Sequence, residues 1–369
     1  MQENMKLTQY SHDAGCGCKI SPDNLSRLLE SNLGSPPQGN LLVGNQHRDD
    51  AAVYDLSDGR AIISTTDFFM PIVDDPFCFG RIAATNALSD IYAMGGTPSV
   101  AIAIFGWPID KLPLSAGQLV IEGGRKTCHD AGIHLAGGHS IDSPEPIFGL
   151  AATGIVPISN LKQNSTAQVG DTLFLTKPLG VGILTTARKR GILLPQHAEL
   201  AETSMLKLNK VGISLATLPE VNAMTDVTGF GLLGHLLEIC RASNVSATVD
   251  RSLVPILDAY LYDYCNKGAV SGGSIRNWES CKNDIVGASV YDKKIFCDPQ
   301  TSGGLLITVQ PERQAIVEKI LKTKILEKKN SRQRHTIGLT PFFDSSKNIL
   351  QRILYGSLKL AGFEGMNLS

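Results

Sequence analysis

The sequence predicts an α/β (α+β) chain folded as two packed halves, and three observations carry that reading. Short apolar runs suited to strands alternate with stretches whose apolar residues recur at helical spacing. At 369 residues the chain exceeds one small core and falls short of more than three domains. Hydrophobic residues make up 43% of it and charged residues 19%, enough apolar material for real cores.

The elements follow in order. Residues 1–50 carry Ser, Gly, Asn and Pro clusters, with one short helix expected over 23–31 after a Pro22 suited to a first helical turn. From Ala51 the pattern regularises. Strands are expected at 51–54 and 61–64, a helix over 80–94, a strand at 99–105, a helix over 116–131, and strands at 133–136 and 147–156. The polar stretch 160–170 then separates two patterned regions, which gives a lead-in arm at 1–50, a first α/β domain at 51–160 and a second at 161–369. In that second half a strand is expected at 172–176, helices over 182–189 and 198–218, a short segment at 221–225, a helix over 232–242 and a strand at 246–249. A weakly patterned region at 255–296 precedes a strand at 304–309 and a helix over 312–322.

Charge narrows the function classes. Lys plus Arg number 34 against 35 Asp plus Glu, a formal charge of −1, so no global field favours nucleic acid or an anionic membrane. The basic tract 312–335 reads as a solvated helix and loop, because Ile316, Ile320 and Leu321 keep helical spacing. Residues 1–18 lack the apolar core of a secretory signal, and the apolar run 100–105 is ended by Gly106 and Pro108. A cytoplasmic protein is expected. Its eight cysteines are scattered apart from Cys16 and Cys18, so most are expected to be buried thiols.

Two sets of residues point to chemistry. Asp49, Asp50, Asp67, Asp90 and Asp226 each sit at the edge of an apolar segment, where carboxylates suit Mg²⁺, a hard ion that takes oxygen ligands and substrate phosphates. Strand-end capping explains any one of them alone. Of the 36 glycines several fall in Gly-Gly runs, and Gly137-Gly138-His139-Ser140 at the end of an expected strand suits an anion nest. No Gly is followed by Lys, which excludes the common P-loop. The spacing Gly229-Phe230-Gly231-Leu232-Leu233-Gly234 matches a dinucleotide fingerprint, with Asp250 at the distance of a ribose-binding acid. The preceding Met224-Thr225-Asp226-Val227-Thr228 is not an uninterrupted apolar strand, so close helix packing beside a metal aspartate is the better reading. The second set is Gly15-Cys16-Gly17-Cys18-Lys19, with His12 and Asp13 before it. A neighbouring ammonium lowers a thiol's pKa, and glycines leave the sulfur accessible. Structural zinc would need a second cysteine pair, which the chain lacks.

These residues, in order, resemble those of selenophosphate synthetases, also called selenide, water dikinases. The carriers are Gly15-Cys16-Gly17-Cys18-Lys19, residues 45–51, Thr65-Thr66-Asp67-Phe68-Phe69, residues 86–96, Ala136-Gly137-Gly138-His139-Ser140, residues 224–231 and residues 298–304. The match covers nearly the whole chain and weakens over the last stretch. The resemblance implies a two-domain fold like that of aminoimidazole ribonucleotide synthetase, its N-terminal sheet forming a barrel across a homodimer. It implies that selenide, ATP and water yield selenophosphate, AMP and orthophosphate, with Mg²⁺ required and K⁺ assisting. By matching motif, Cys16 and Lys19 take catalytic positions. Asp50, Asp90 and Asp226 take the metal positions, and Lys19, His47, Arg48, Asp49, Asp67, Asp90, Gly138, His139 and Ser140 the nucleotide positions. Many relatives have Thr at position 47, which leaves a backbone contact there rather than a side-chain one. Asp13 stands where a small residue is common. A selenium-delivery protein is a candidate partner. The alternatives are another ATP-using enzyme of the same fold that releases ADP, and a nucleotide-binding regulator without turnover.

Overall fold

The computed structural model describes residues 6–11, 14–20, 22–29, 39–333, 359–361 and 366–368. His12 and Asp13 lie outside them. The first sheet comprises β1 (Leu41–Val43), β2 (Ala52–Asp55), β3 (Arg60–Phe69), β4 (Thr97–Trp107), β5 (His134–Asp142) and β6 (Ile147–Pro157). Its order is β1-β2-β3-β6-β4-β5, antiparallel throughout except for the β4–β5 edge pair. The second sheet comprises β7 (Thr172–Leu175), β8 (Val221–Asp226), β9 (Ser246–Val249), β10 (Ile285–Val286), β11 (Leu305–Val309), β12 (Lys359–Ala361) and β13 (Met366–Leu368), in the order β10-β13-β9-β12-β7-β11-β8. The expected α/β class is what the chain adopts.

Local chemistry explains how the layers meet. The helix Pro76–Ala87 starts where the Asp75 side chain accepts the Cys78 N–H (2.6 Å) and Pro76 supplies the first helical position. It packs on the helix Leu114–Ala131 so closely that a Cβ on Gly80 would fall 1.9 Å from Val120 O. The glycine is there for that approach. Together these helices cover one face of the first sheet. Strands β7, β8 and β11 are buried along their whole length, β7 and β11 as largely apolar runs and β8 with Asn222, Thr225 and Asp226 buried among its apolar residues. One apolar cluster runs through both halves and takes in Leu7 and Cys16 of the arm, while a second gathers Phe174, Leu215, Met224, Ile307 and Val317. Among the described residues no helix is long and apolar enough to cross a membrane.

Several elements differ from expectation. The helix expected over 80–94 is two, Pro76–Ala87 and Ser89–Ala93, meeting at Leu88. That over 198–218 splits into Leu200–Met205 and Val211–Ala216, where Asn209 between them donates to Ser89 Oγ (2.8 Å) and Gly303 O (2.9 Å). Residues 255–296 hold the helices Leu261–Asn266, Gly272–Cys281 and Val290–Ile295, the last two capped by Ser271 and Ser289. Strand β5 runs on through Gly137 and Gly138, so Gly-Gly-His-Ser lies inside an exposed edge strand rather than at a strand end.

Candidate active site

The arm is seated by backbone bonds. Gly15 has φ +53°, and a Cβ there would fall 2.4 Å from Thr301 Oγ1, so only glycine fits. Gly15 N donates to Met70 O (3.0 Å), Cys16 N to Thr301 Oγ1 (3.0 Å), and Lys19 N back to Cys16 O (3.3 Å). On the other side, a Cβ on Gly229 would stand 2.7 Å from Cys16 O and 2.9 Å from Lys19 Cδ. That glycine is the floor on which the arm rests.

Asn86 joins the arm to the carboxylates. Its Nδ2 donates to Asp67 Oδ2 (2.7 Å), while its Oδ1 accepts the Cys16 thiol (3.2 Å) and Ser302 N (2.7 Å). Lys19 Nζ reaches the same Asp67 oxygen at 3.2 Å. Burial alone would push the Lys19 ammonium down, but Asp67, Cys16, Asp90 and Asp226 outweigh it and hold the group well above the usual lysine range. Cys16 behaves otherwise. Burial, then Asp67, push its thiol well above the ordinary value, and the lowering by Lys19 only partly offsets them. The expected activation by Lys19 is present but loses to desolvation, so the resting sulfur is a protonated thiol with 1% exposure.

Three aspartates converge beside this arm. Asp50 precedes β2, Asp90 lies on the short helix Ser89–Ala93, and Asp226 ends β8, yet their carboxylates offer oxygens within 4.8 Å of one another. Thr225 Oγ1 donates to Asp50 Oδ1 (2.8 Å) and Thr65 Oγ1 to Asp90 Oδ2. The Oδ2 atoms of Asp50 and Asp226 are buried with no hydrogen-bond partner. Burial, reinforced by Asp226, pushes Asp50 and Asp90 well above the carboxylate range, and burial also raises Asp226. Clustered like charges with orphaned oxygens are costly unless a cation joins them, and an all-oxygen set suits a hard divalent metal.

A cleft of about 630 Å³ surrounds the cluster, lined among others by Lys19, Arg48, Asp49, Asp67 and Phe230. Asn164 fastens its rim, donating from its N to Asp49 Oδ1 (2.7 Å) and from Nδ2 to Arg48 O (3.0 Å) and His47 O (3.4 Å). Arg48 adopts φ +53°, and burial pushes Asp49 up. The structure thus brings Cys16, Lys19, Asp49, Asp50, Asp67, Asp90, Asp226 and Arg48 to one place. His47 is exposed and does not line the cleft, nor do Gly138, His139 and Ser140 of the same chain. The fingerprint glycines serve packing: Gly231 (φ +71°) meets the Phe296–Cys297 backbone and Gly234 the Phe230 side chain. Asp250 binds Ser252 instead of the cleft. Asn86, Thr65, Thr225, Thr301 and Asn164 were not singled out by sequence; all but Asn164 stand inside the motifs that carry the resemblance, and that was their only signal.

Comparison with known proteins places the chain among its relatives. Residues 48–156 match the family of AIR synthase related protein, N-terminal domain, and residues 168–327 its C-terminal domain. The selenide, water dikinase of Aeromonas hydrophila is 61% identical over 312 residues, 85% of this chain and 90% of that protein. That of Photorhabdus laumondii is 59% identical over 327 residues, 89% and 94% of the two chains. Among solved structures, thiamine-monophosphate kinase from Stenotrophomonas maltophilia superposes with a TM-score of 0.61 at 19% identity, covering 94% of each chain. Hydrogenase maturation protein HypE from E. coli gives 0.58 at 18%, covering 87% of each. Those two likenesses establish the two-domain fold alone. On the strength of its close relatives, the chain belongs to the selenide, water dikinase family.

Proposed function

We propose that this chain makes selenophosphate from selenide, ATP and water, releasing AMP and orthophosphate. The observation that carries the reading is the docked arm: Cys16 and Lys19 sit against Asn86 and Asp67 at the edge of the Asp50–Asp90–Asp226 cluster. Mg²⁺ is the ion those three carboxylates would hold, and when bound it neutralises phosphate charge. Lys19 stays charged and places a cation beside Asp67, where it can meet a phosphate oxygen as charge develops. The rim at Arg48 and Asp49, fixed by Asn164, is where a nucleotide's remaining parts would lie. Cys16, buried and protonated at rest, handles selenium once the arm moves. No conventional base is required, since phosphoryl transfer is mostly positioning and electrostatics. K⁺ is the second ion the family resemblance carries, and a selenium-delivery protein the further partner.

A homodimer completes the proposal. Gly138, His139 and Ser140 lie on the exposed edge strand β5 and outside the cleft of their own chain, while Ala52, Ser64 and Thr66, on the open side of the first sheet, line that cleft. A second copy closing on this side is the arrangement that would bring such residues to a nucleotide. The test is anaerobic incubation with ATP, Mg²⁺ and selenide. AMP is expected only when selenide is present; ADP as the product, or AMP without selenide, would overturn the reading.

A further inference from the structure

Cys281 closes the helix Gly272–Cys281, and Cys297 directly precedes the Asp298-Pro299-Gln300-Thr301 stretch. Both are free thiols, and their sulfurs lie 3.9 Å apart. Neither lines the aspartate cleft. A separate crevice of about 40 Å³, room for about one small molecule of water's size, reaches Cys281 and is lined by Arg48, Glu238 and Arg241 among others. A small peroxide entering that crevice meets Cys281 first, since Cys297 is fully buried.

The same helix grips the arm. Arg276 Nη2 donates to Gly17 O (2.8 Å), and Asn277 Nδ2 donates to both Gly229 O (2.8 Å) and Cys297 O (2.9 Å). Gly229 is the floor beneath Cys16 and Lys19. A disulfide holds its sulfurs about 2.05 Å apart, so about 1.9 Å of the present 3.9 Å must close. Cys281, the last residue of its helix, is the partner free to move, because Cys297 is fully buried and its carbonyl is tied to Asn277. Asn277 stands one turn before Cys281, so drawing the helix end inward disturbs the amide that bridges Gly229 and Cys297.

We propose that Cys281 and Cys297 form an oxidation site for small peroxides, closing to a disulfide that loosens the arm. The Cys281 thiolate attacks one oxygen of hydrogen peroxide, the O–O bond breaks, and a sulfenic acid forms while hydroxide leaves and takes up the proton that Cys281 released. The Cys297 thiol then attacks that sulfur. The S–S bond forms, the S–O bond breaks, and the departing hydroxyl carries off the Cys297 proton as water. Two thiols give up two electrons, and the peroxide becomes two waters. A chain that consumes selenide, itself readily oxidised, would thereby stop working when oxidant is present. That consequence rests on the catalytic reading of Cys16 and Lys19; the oxidation itself does not.

The test uses the full chain, treated with hydrogen peroxide and mapped by mass spectrometry without reduction, with hydrogen exchange followed over residues 14–19. A Cys281–Cys297 cross-link is expected, with arm exchange several-fold faster and both changes reversed by dithiothreitol. Cys281→Ser should show neither change under the same treatment, although peroxide reaches its Cys16 equally. Absence of the cross-link, an arm unchanged by it, or equal loosening in Cys281→Ser would each overturn the proposal. A cross-linked, loosened arm with undiminished AMP formation would instead overturn the catalytic reading of the arm and leave the oxidation site standing.

Discussion

Cys16 is buried with its thiol on Asn86 Oδ1, so the sulfur must leave that bond before it meets selenium. Cys16→Ser keeps a hydroxyl that can make the same bond, so the arm should dock and nucleotide should bind as before. Selenophosphate formation is expected to fall below detection, and an unchanged ³¹P product yield would refute the role. The aspartates argue through their cost. Burial and Asp226 raise Asp50 and Asp90, and burial raises Asp226, so adding Mg²⁺ should stabilise the chain by roughly 2.7 kcal/mol at about a hundred times the dissociation constant. Asp226→Asn should leave the metal-free chain at least as stable, because it removes a buried like charge, and should abolish most of the Mg²⁺-induced rise in melting temperature. An equal rise in both proteins would sink the assignment. At this scale the sequence was legible where the residue type itself carries the chemistry, as in the aspartates, Cys16 and Lys19. Asn86 was not legible as a hub, because its partners Cys16, Asp67 and Ser302 meet it only through the fold.

Elements decide how those residues are presented. The turn at Gly229 precedes the helix Gly231–Ser243 and carries no side chain, which leaves room for the arm. Gly229→Ala would drive a methyl to 2.7 Å from Cys16 O. The expected outcome is a folded protein with the arm displaced, seen as faster alkylation of Cys16 by iodoacetamide and a turnover loss of tenfold or more, about 1.4 kcal/mol in the barrier. Alkylation at the parent rate would count against the seat. The helix Val181–Lys189 begins on Asp298, whose Oδ2 accepts from Gly182 N (2.9 Å) and Ile183 N (3.2 Å). Burial nonetheless pushes Asp298 up to about 7. The folded chain therefore keeps a proton that the unfolded chain releases near its ordinary pKa of about 3.9. The stability this group contributes is full below that lower value and is lost as pH rises to the folded one, by up to ~1.4 kcal/mol per pH unit. Asp298→Asn cannot titrate, so its urea midpoint should gain on the parent's between pH 5 and pH 7; a constant gap would exclude the effect. Periodicity marked the strands and long helices well. It missed the break at Leu88 and the one around Asn209, whose side chain bonds across to Ser89 and Gly303, and it left 255–296 unread although the Ser289–Asp292 capping box was in the sequence.

For the whole molecule, the unhelixed face of the first sheet sets the last expectation. Helices Pro76–Ala87 and Leu114–Ala131 cover one side; on the other, Tyr54, Phe68, Val100 and Ile102 are 50%, 49%, 37% and 48% exposed. Register puts them on one surface, since Tyr54 pairs with Ile62, Ile62 with Ile155, Val100 with Thr153 and Ile102 with Ala151. A contiguous apolar sheet face is an unusual thing to leave in water, and among the described residues both sheet edges, β1 and β5, have no strand beyond them. A second copy is the occupant that the proposed dimer supplies. Ile102→Glu would place a charge in the middle of that face, where a lone chain tolerates it at about 0.5 kcal/mol or less but an apolar interface does not. Sedimentation velocity should then find the parent as a dimer and Ile102→Glu as a folded monomer. Nucleotide binding should weaken with dissociation, because the cleft borders that face at Ser64 and Thr66 while Gly138, His139 and Ser140 lie outside it in their own chain. A parent that sediments as a monomer, or a monomeric variant that binds nucleotide as tightly as the parent, would detach the site from the dimer.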